Sequence, residues 1–584
     1  MSPQPTAAAS IVPAPRALLT VLTLLAFANA IPNGFVGIDH WQVESGGLIA
    51  DSWAGLLHSL RAPLGAMPGW EGVAPYARPL VVAAFSVVHW WCDAQPIAFH
   101  ATLVLLHWLA VLLAYTLLRD LAVDRTSTFL ATAVFAVHPV QAAAVSWISG
   151  IADPLFAVFF LLALRLHLAA DVRPQQSLLL RFGAVVSFAA ALGAKETAAI
   201  FPLLLVAVYL CFPSRLPATA ARQRARMLAK TTAPYLLVLA VDVVYRFSVL
   251  KTSAVGAAFG AMPLAIRMCT APRLLLSYLT LPLRFPSLTV CDDYALSVTW
   301  DVASIVATVA VVAMVASVVS WWRSRPVVAF GLVWTVVLLL PVLNIVPILH
   351  YRADRFFYLP LLGWSLCVVE LLRAVFVRYR HPQELLLASG GIVLLLLVAL
   401  TVRRNALFTD DVTLFESTLT VSPDCREART ALGDAYLRSG RNADAVEQYE
   451  RARISQPDRA AYVVMPKVFI NLGMAHLARR DYVAAEAAFR EAHDLQPGLL
   501  HPVFGLGIAN LGLGRISEGV TWLEQAYAHD ASDPDIVFNL ALGYDRLSRS
   551  ADAVALYRRY LDIAPQGRAR ALALTRIQVL SRTP

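Results

Sequence analysis

Residues 385–411 read LLLASGGIVLLLLVALTVRRNALFTDD, and this stretch divides the chain. Leu385–Val402 contains no Asp, Glu, Lys or Arg, and it approaches the roughly 20 apolar residues that a membrane-spanning helix needs. Arg403 and Arg404 end it, and from Asp410 the pattern turns amphipathic. The acids divide at the same place: 17 of the 39 Asp and Glu precede residue 404, and the other 22 lie in the last 181 residues. An acid-poor apolar part and an ordinary soluble part therefore share one chain of 584 residues. The whole is 58% hydrophobic and 15% charged, where a soluble domain carries about 25% charge.

Before residue 385, the runs Ile97–Leu118, Val302–Ser320 and Val327–Leu349 are also free of charge. Weaker spans are read near Ser127–Trp147, Pro154–Ala170, Leu178–Ala194, Thr197–Phe212, Thr231–Leu250 and Phe356–Val377. Ala17–Ile31 has the look of a signal sequence, but the many spans after it make it a retained anchor. The sum is about eleven spans. Loop charge then assigns sides. With the tail 1–16 in the cytoplasm, the inner loops are Arg119–Arg125, Asp171–Arg181, Pro213–Lys230, Trp322–Arg325 and Arg378–Glu384. Lys251–Asp301 stays outside, with Leu274–Leu283 re-entrant or interfacial. Residues 404–584 are then expected outside the membrane. The Ala/Arg/Val-rich composition leans to a bacterial inner membrane and the periplasm; in a eukaryote the compartment is the endoplasmic-reticulum lumen. The net charge of +9 reads as a topology signal, not as a nucleic-acid surface. The six cysteines form no CxxC pair, so no zinc or redox motif is indicated, and no disulfide is assigned.

After residue 411, four units align on Leu432-Gly433, Leu472-Gly473, Leu506-Gly507 and Leu540-Ala541. The last three are spaced by 34, the tetratricopeptide repeat (TPR) period. The first gap is 40, which places about six inserted residues near Ala460–Lys467. Ala445, Ala485, Gly519 and Ala553 follow the anchors by twelve residues, and Tyr449, Phe489, Leu523 and Tyr557 by sixteen. Pro457, Pro497 and Pro565 close three units. Small residues allow close helix approach and the large ones fill the gaps. Stacked pairs form a concave groove, read here as a peptide- or protein-binding surface, with a rigid spacer as the alternative.

Polar residues gather at the outer ends of the spans. They are Asp39, Arg78, the group His138, Ser149 and Asp153, the pair Lys195 and Glu196, and the group His350, Arg352, Asp354 and Arg355. Singly, each is an interfacial anchor or cap; together on one face they mark a site. Asp242 and Arg246 are four apart within a span, where ionisable groups are costly and usually paired.

Several stretches resemble the transmembrane and TPR-containing O-mannosyltransferases and their bacterial relatives. They are Asn33-Gly34-Phe35-Val36 leading to Asp39, Tyr76 to Leu80, and Leu103 to Leu106 with His107. His138-Pro139-Val140-Gln141 and Val145 to Gly150, leading to Asp153, belong with them. So do Ala194-Lys195-Glu196, Ala353-Asp354-Arg355-Phe356-Phe357-Tyr358-Leu359-Pro360, and Phe415 to Pro423. The resemblance implies an all-α fold: a polytopic membrane bundle of the C-type glycosyltransferase kind, residues 17–403, followed by an α-solenoid of TPRs. It implies an inverting hexosyl transfer, mannosyl in type, from a polyprenyl-phosphate sugar to a hydroxyl, such as protein Ser or Thr. Asp39 would be the base. Arg352, Arg355, Lys195 and Arg78 would hold the donor phosphate, supported by His138, Asp153, Glu196 and Asp354. A divalent metal could bridge Asp39 and the phosphate, although no metal-ligand spacing calls for one. The chain departs from the family at three positions: Ile38 stands where a paired acid is usual, Ala143 where Glu is, and Ile151 where Arg is. Two other readings are a catalytically impaired membrane TPR scaffold and a lipid-linked glycan ligase or polymerase.

Overall fold

The computed structural model describes residues 13–59, 78–215, 221–248, 262–348, 350–454, 456, 458–461 and 463–581. Most of the tail 1–16, Tyr76, Leu250, Lys251, Leu349 and Pro457 fall outside them. The described residues divide into two compact units. One is Met1–Pro423 with Pro457–Ala461; the other is Asp424–Gln456 with Tyr462–Pro584. Residues 404–423, which follow the hydropathy change, thus group with the first unit by their contacts.

The first unit is a helical bundle. Among the described residues, six helices are long and apolar enough to cross a membrane: Pro96–Asp120, Ile148–Val172, Pro174–Ala194, Arg222–Ser248, Val302–Ser324 and Pro382–Phe408. The pair Arg125–Val137 and Pro139–Val145, bent by 46°, adds a seventh if it is one span. The chain is a multi-pass membrane protein. Three expected spans appear as shorter apolar helices, Pro15–Ala30, Glu196–Cys211 and Pro326–Val342. The span expected at Phe356–Val377 is the 17-residue helix Pro360–Phe376. Pro79–Cys92 is a further short apolar helix outside the eleven. Prolines set several of these boundaries, because a Pro at the first helical turn lacks only an amide that would be unpaired anyway. The expected re-entrant piece lies in the helix Leu264–Thr280 and the turn after it.

The bend at His138 has a local cause. His138 is extended, with φ −75° and ψ 134°, as a residue before proline prefers. Pro139 cannot continue the amide ladder. The His138 ring caps the new helical turn, its Nδ1 accepting from the Val140 amide at 3.1 Å. Its Nε2 meets the Pro282 carbonyl at 3.0 Å.

The second unit consists of helix pairs: Arg426–Arg438 with Asn442–Ala452, Met465–Ala478 with Tyr482–Leu495, Leu500–Gly512 with Ile516–His529, and Pro534–Arg546 with Ser550–Ile563. Arg570–Leu580 follows the fourth pair. Ala573 from it packs on Val537, Ala541, Tyr557 and Tyr560. A side chain on Gly433 would meet the Tyr449 ring at 2.7 Å, and one on Gly473 the Phe489 ring at 2.8 Å. The residue sixteen after each anchor therefore packs inside its own unit. Phe489 also reaches Gly505 of the next unit, where an added carbon would stand 2.5 Å away. Gly473→Leu should destabilise by roughly 1–3 kcal/mol through overpacking, read as a lower thermal midpoint of the full-length protein. An unchanged midpoint would mean the register is wrong.

The insertion before the second repeat has a structure. Arg459–Ala460 pairs antiparallel with Tyr294–Ala295, and the Leu296 amide donates to the Asp458 carbonyl at 2.8 Å. This two-residue ladder lies within the first unit.

Candidate functional site

The turn that carries Asp39 is tied down on several sides. Asn33 Nδ2 donates to the Asn405 carbonyl at 3.0 Å, and the Gly34 amide to the Thr409 carbonyl at 3.2 Å. Gly37 sits at φ +59°, a conformation that glycine adopts without penalty. Its amide donates to Asp411 Oδ1 at 2.5 Å. Asp411 Oδ2 also takes His40 Nε2 at 3.0 Å.

Asp39 itself is fully buried. Its Oδ1 accepts from the Ser149 amide at 2.8 Å and from the Ser149 hydroxyl, and its Oδ2 accepts from the Val36 amide at 3.2 Å. Burial disfavours the ionised form and pushes the carboxyl up to about 7, against the lowering effect of the bonds from Ser149 and Val36. The Ser149 turn can approach because Gly150 follows it. A β-carbon there would lie 2.9 Å from the Ala143 and Ala144 carbonyls. Trp147 Nε1 donates to the Val36 carbonyl at 3.0 Å, which locks the two turns together.

A cluster of charges continues from Trp147. The Arg355 guanidinium lies 5.6 Å from the centres of both the Trp147 and Phe356 rings, within range of a cation–π contact. The Lys195 ammonium lies 5.3 Å from the Phe356 ring and binds Asp153 Oδ1 at 2.5 Å. Arg78 holds Glu196 through Nη2 at 2.9 Å and Nε at 3.1 Å. Arg246 reaches Glu196 at 3.3 Å and Asp242 at 2.8 Å. The Asp242–Arg246 pair is thus an internal salt bridge that also braces Glu196. The charges of Arg78 and Arg355 act on both Lys195 and His350. Burial first, then these two cations, holds the His350 ring well below its usual range. Four cations face three acids here, and Arg355 has no ion pair among the described residues.

Arg352 and Asp354 turn elsewhere. Arg352 Nη1 binds Asp292 Oδ2 at 2.6 Å, and Asp292 Oδ1 accepts from Ser422 at 2.8 Å. Asp354 accepts from the Thr289 amide at 2.6 Å and from Arg404 at 3.5 Å. Arg352 precedes the tight helical turn Asp354–Phe357 that carries Arg355, and the two guanidiniums meet different partners. Of the two arginines expected at one phosphate, Arg352 is held by Asp292 and Arg355 lies against Trp147 and Phe356. His138 is likewise a cap on a broken helix, with both ring nitrogens engaged. Motifs could not foresee Asp411, which arrives from 372 positions beyond Asp39 in sequence; the pair Asp410-Asp411 signals only a helix start. None of the six cysteines forms a disulfide among the described residues.

Residues 412–460, 430–499 and 504–568 match the tetratricopeptide repeat family model. Part of the chain is similar to protein O-mannosyl-transferase TMTC1. It is 32% identical to the Mus musculus protein over 154 residues, 25% of this chain and 16% of that one. With the Homo sapiens protein it shares 39% over 87 residues, 15% of this chain and 10% of that one. The similarity thus spans less than a fifth of these relatives' length. Among solved structures, the crystal structure of YrrB, a TPR protein with an unusual peptide-binding site, is similar to 28% of this chain over 80% of its own. That match is 17% identical with a TM-score of 0.24. Part of the chain is thus similar to protein O-mannosyl-transferases, and its C-terminal unit carries TPRs.

Proposed function

We propose that the first unit transfers a hexose, mannosyl in type, from a polyprenyl-phosphate donor to a hydroxyl acceptor such as protein Ser or Thr, and that the TPR groove holds the acceptor or a partner. One observation carries this reading. The candidate base and the unpaired cation are linked through a single side chain, Trp147, which bonds the Asp39 turn and lies against Arg355. In the proposed reaction the acceptor oxygen attacks the anomeric carbon and its proton passes to Asp39. The bond from that carbon to the phosphate oxygen breaks, and the polyprenyl phosphate leaves with the charge. Arg355 suits that charge because its planar fork binds two oxygens, and a cation fixed in a site shielded from water stabilises it strongly. The described residues hold no group of three or more His, Cys, Asp or Glu placed to bind a metal ion, and both Asp39 oxygens are engaged. They do not fit a resident metal, and no step is routed through one.

The test is transfer of labelled mannose from polyprenyl-phosphate mannose to a Ser/Thr-rich peptide by the protein in nanodiscs. Arg355→Ala should weaken donor binding by about 1.5–3 kcal/mol, the range of a charged hydrogen bond. Arg355→Lys should recover part of that loss, because an ammonium lacks the fork. Equal donor affinity in all three proteins would remove Arg355 from the site. Transfer to a glycan and not to the peptide would instead identify a ligase or polymerase.

A second reading, a membrane TPR scaffold without turnover, is favoured by the burial of Asp39 and by Ile38 in place of a second acid. It requires that the wild type neither bind nor turn over the donor.

A further inference from the structure

The bundle carries a polar cavity at the opposite end of the helices that present Asp153 and Lys195. Asp153 and Asp171 lie on one helix, Ala152–Val172, eighteen residues apart, or about 27 Å at 1.5 Å per residue. Around Asp171 opens a cavity of about 380 Å³, lined by Arg181, Arg215 and Lys230 together with His167, Tyr209 and Tyr235. Its polar wall is built and directional. Tyr209 donates to Asp171 Oδ2 at 2.6 Å, so its oxygen accepts from His167 Nε2 at 3.0 Å. That leaves His167 Nδ1 to accept from Tyr235 at 2.6 Å. Both Asp171 oxygens are thereby engaged, Oδ1 by Arg181 Nη2 at 2.9 Å. Three cations line the cavity against this one acid. Arg215 and Lys230 make no ion pair with a carboxylate among the described residues. Arg215 donates to the Asp120 carbonyl, and Lys230 stands exposed on the helix Ala221–Ser248.

We infer that this cavity binds the phosphate of an anionic phospholipid headgroup. The excess of two positive charges calls for an anion. The site also lies at the ends of apolar spans, where lipid phosphates are the abundant anions, and Val185, Met227 and Pro234 line it beside the cations. Basic pockets between membrane helices on the Arg-rich side take such headgroups. Arg173, just after Asp171, and Arg222 and Arg226, on the same helix as Lys230, do not line the cavity.

The experiment uses the full-length protein in nanodiscs of phosphatidylcholine, alone or with a minor share of phosphatidylglycerol. Native mass spectrometry counts the retained lipid, and thermal unfolding reports its effect. The wild type should retain phosphatidylglycerol and gain stability from it, and inorganic phosphate at matched concentration should not substitute. Arg215→Gln with Lys230→Gln should weaken retention by about thirtyfold, some fivefold for each basic residue. Arg222→Gln with Arg226→Gln should leave retention near that of wild type. Equal loss in the two double variants would overturn the inference, since binding would then follow net charge and not the cavity. Protection by inorganic phosphate equal to that by the lipid would overturn it in favour of a free-anion site. Failure to retain lipid in wild type would overturn it outright. None of these outcomes depends on whether the opposite face transfers a sugar.

Discussion

Replacing Asp39 by Asn should lower sugar transfer roughly 10²–10⁴-fold, the usual contribution of a positioned base. The amide cannot take the acceptor proton. It also cannot reproduce every contact, because its NH₂ group would face the Val36 amide, donor against donor, at the place of Oδ2. A lost turnover therefore needs a second readout, and pH supplies it. A base is active when ionised, and burial has moved this group up to about 7. Wild-type activity should rise with pH through about 7 and level off above it. Ser149→Ala deletes a hydrogen bond that favours the ionised form, so it should shift the rise to higher pH while leaving the plateau closer to wild type. Stability gives the complementary sign. The folded value lies above the unfolded 3.8, so this group's contribution is fully present below about 4 and is lost as pH rises towards 7. Asn has no such loss, so the variant's melting temperature should improve relative to wild type over that interval. Full activity in Asp39→Asn would discard the assignment of the base. A pH-dependent melting difference without any wild-type turnover would leave Asp39 as a turn-holding residue of a scaffold.

Local signals carried much of this molecule. The repeat period and the recurrence of small and large residues fixed the TPR register, because each repeat must pack on the next in the same way. Gly473 against Phe489 shows that register at atomic distance. The charge-free runs marked the longer helices, because no lipid-facing helix tolerates many charges. Six described helices, or seven with the bent pair, are of spanning length, so the count of eleven is not confirmed where the bundle uses short helices such as Pro15–Ala30 and Pro326–Val342. The site was half legible. Lys195 with Asp153 and Arg78 with Glu196 meet as clustering on one face suggested. The sequence offered no means to separate Arg355 from Arg352, since the two are three positions apart and the tight turn Asp354–Phe357 that parts them is formed only in the fold. Nor could it place Asp411 under Gly37 and His40, a contact made by tertiary folding alone.

Lys195→Ala should destabilise the bundle by about 3–5 kcal/mol, because it strands Asp153 as an uncompensated buried charge. Both side chains are more than nine-tenths buried, and the nitrogen and oxygen stand 2.5 Å apart. Such a pair is poor evidence of net stabilisation. Removing both charges with apolar residues of similar size is often neutral or favourable, so Lys195→Met with Asp153→Leu should restore the thermal midpoint that Lys195→Ala loses. The cycle separates two roles for the lysine. If Lys195 serves only the fold, the double variant recovers donor binding along with stability. If it belongs to the donor-phosphate site beside Arg355 and Arg78, the double variant is stable and still binds the donor poorly. The second outcome is expected, because three cations act on one another here. Like charges are held together at a cost that an incoming anion relieves. Thermal unfolding and donor binding measured on the same nanodisc samples decide it. Recovery of both in the double variant would leave Arg355 and Arg78 as the phosphate ligands and Lys195 as a buried structural pair.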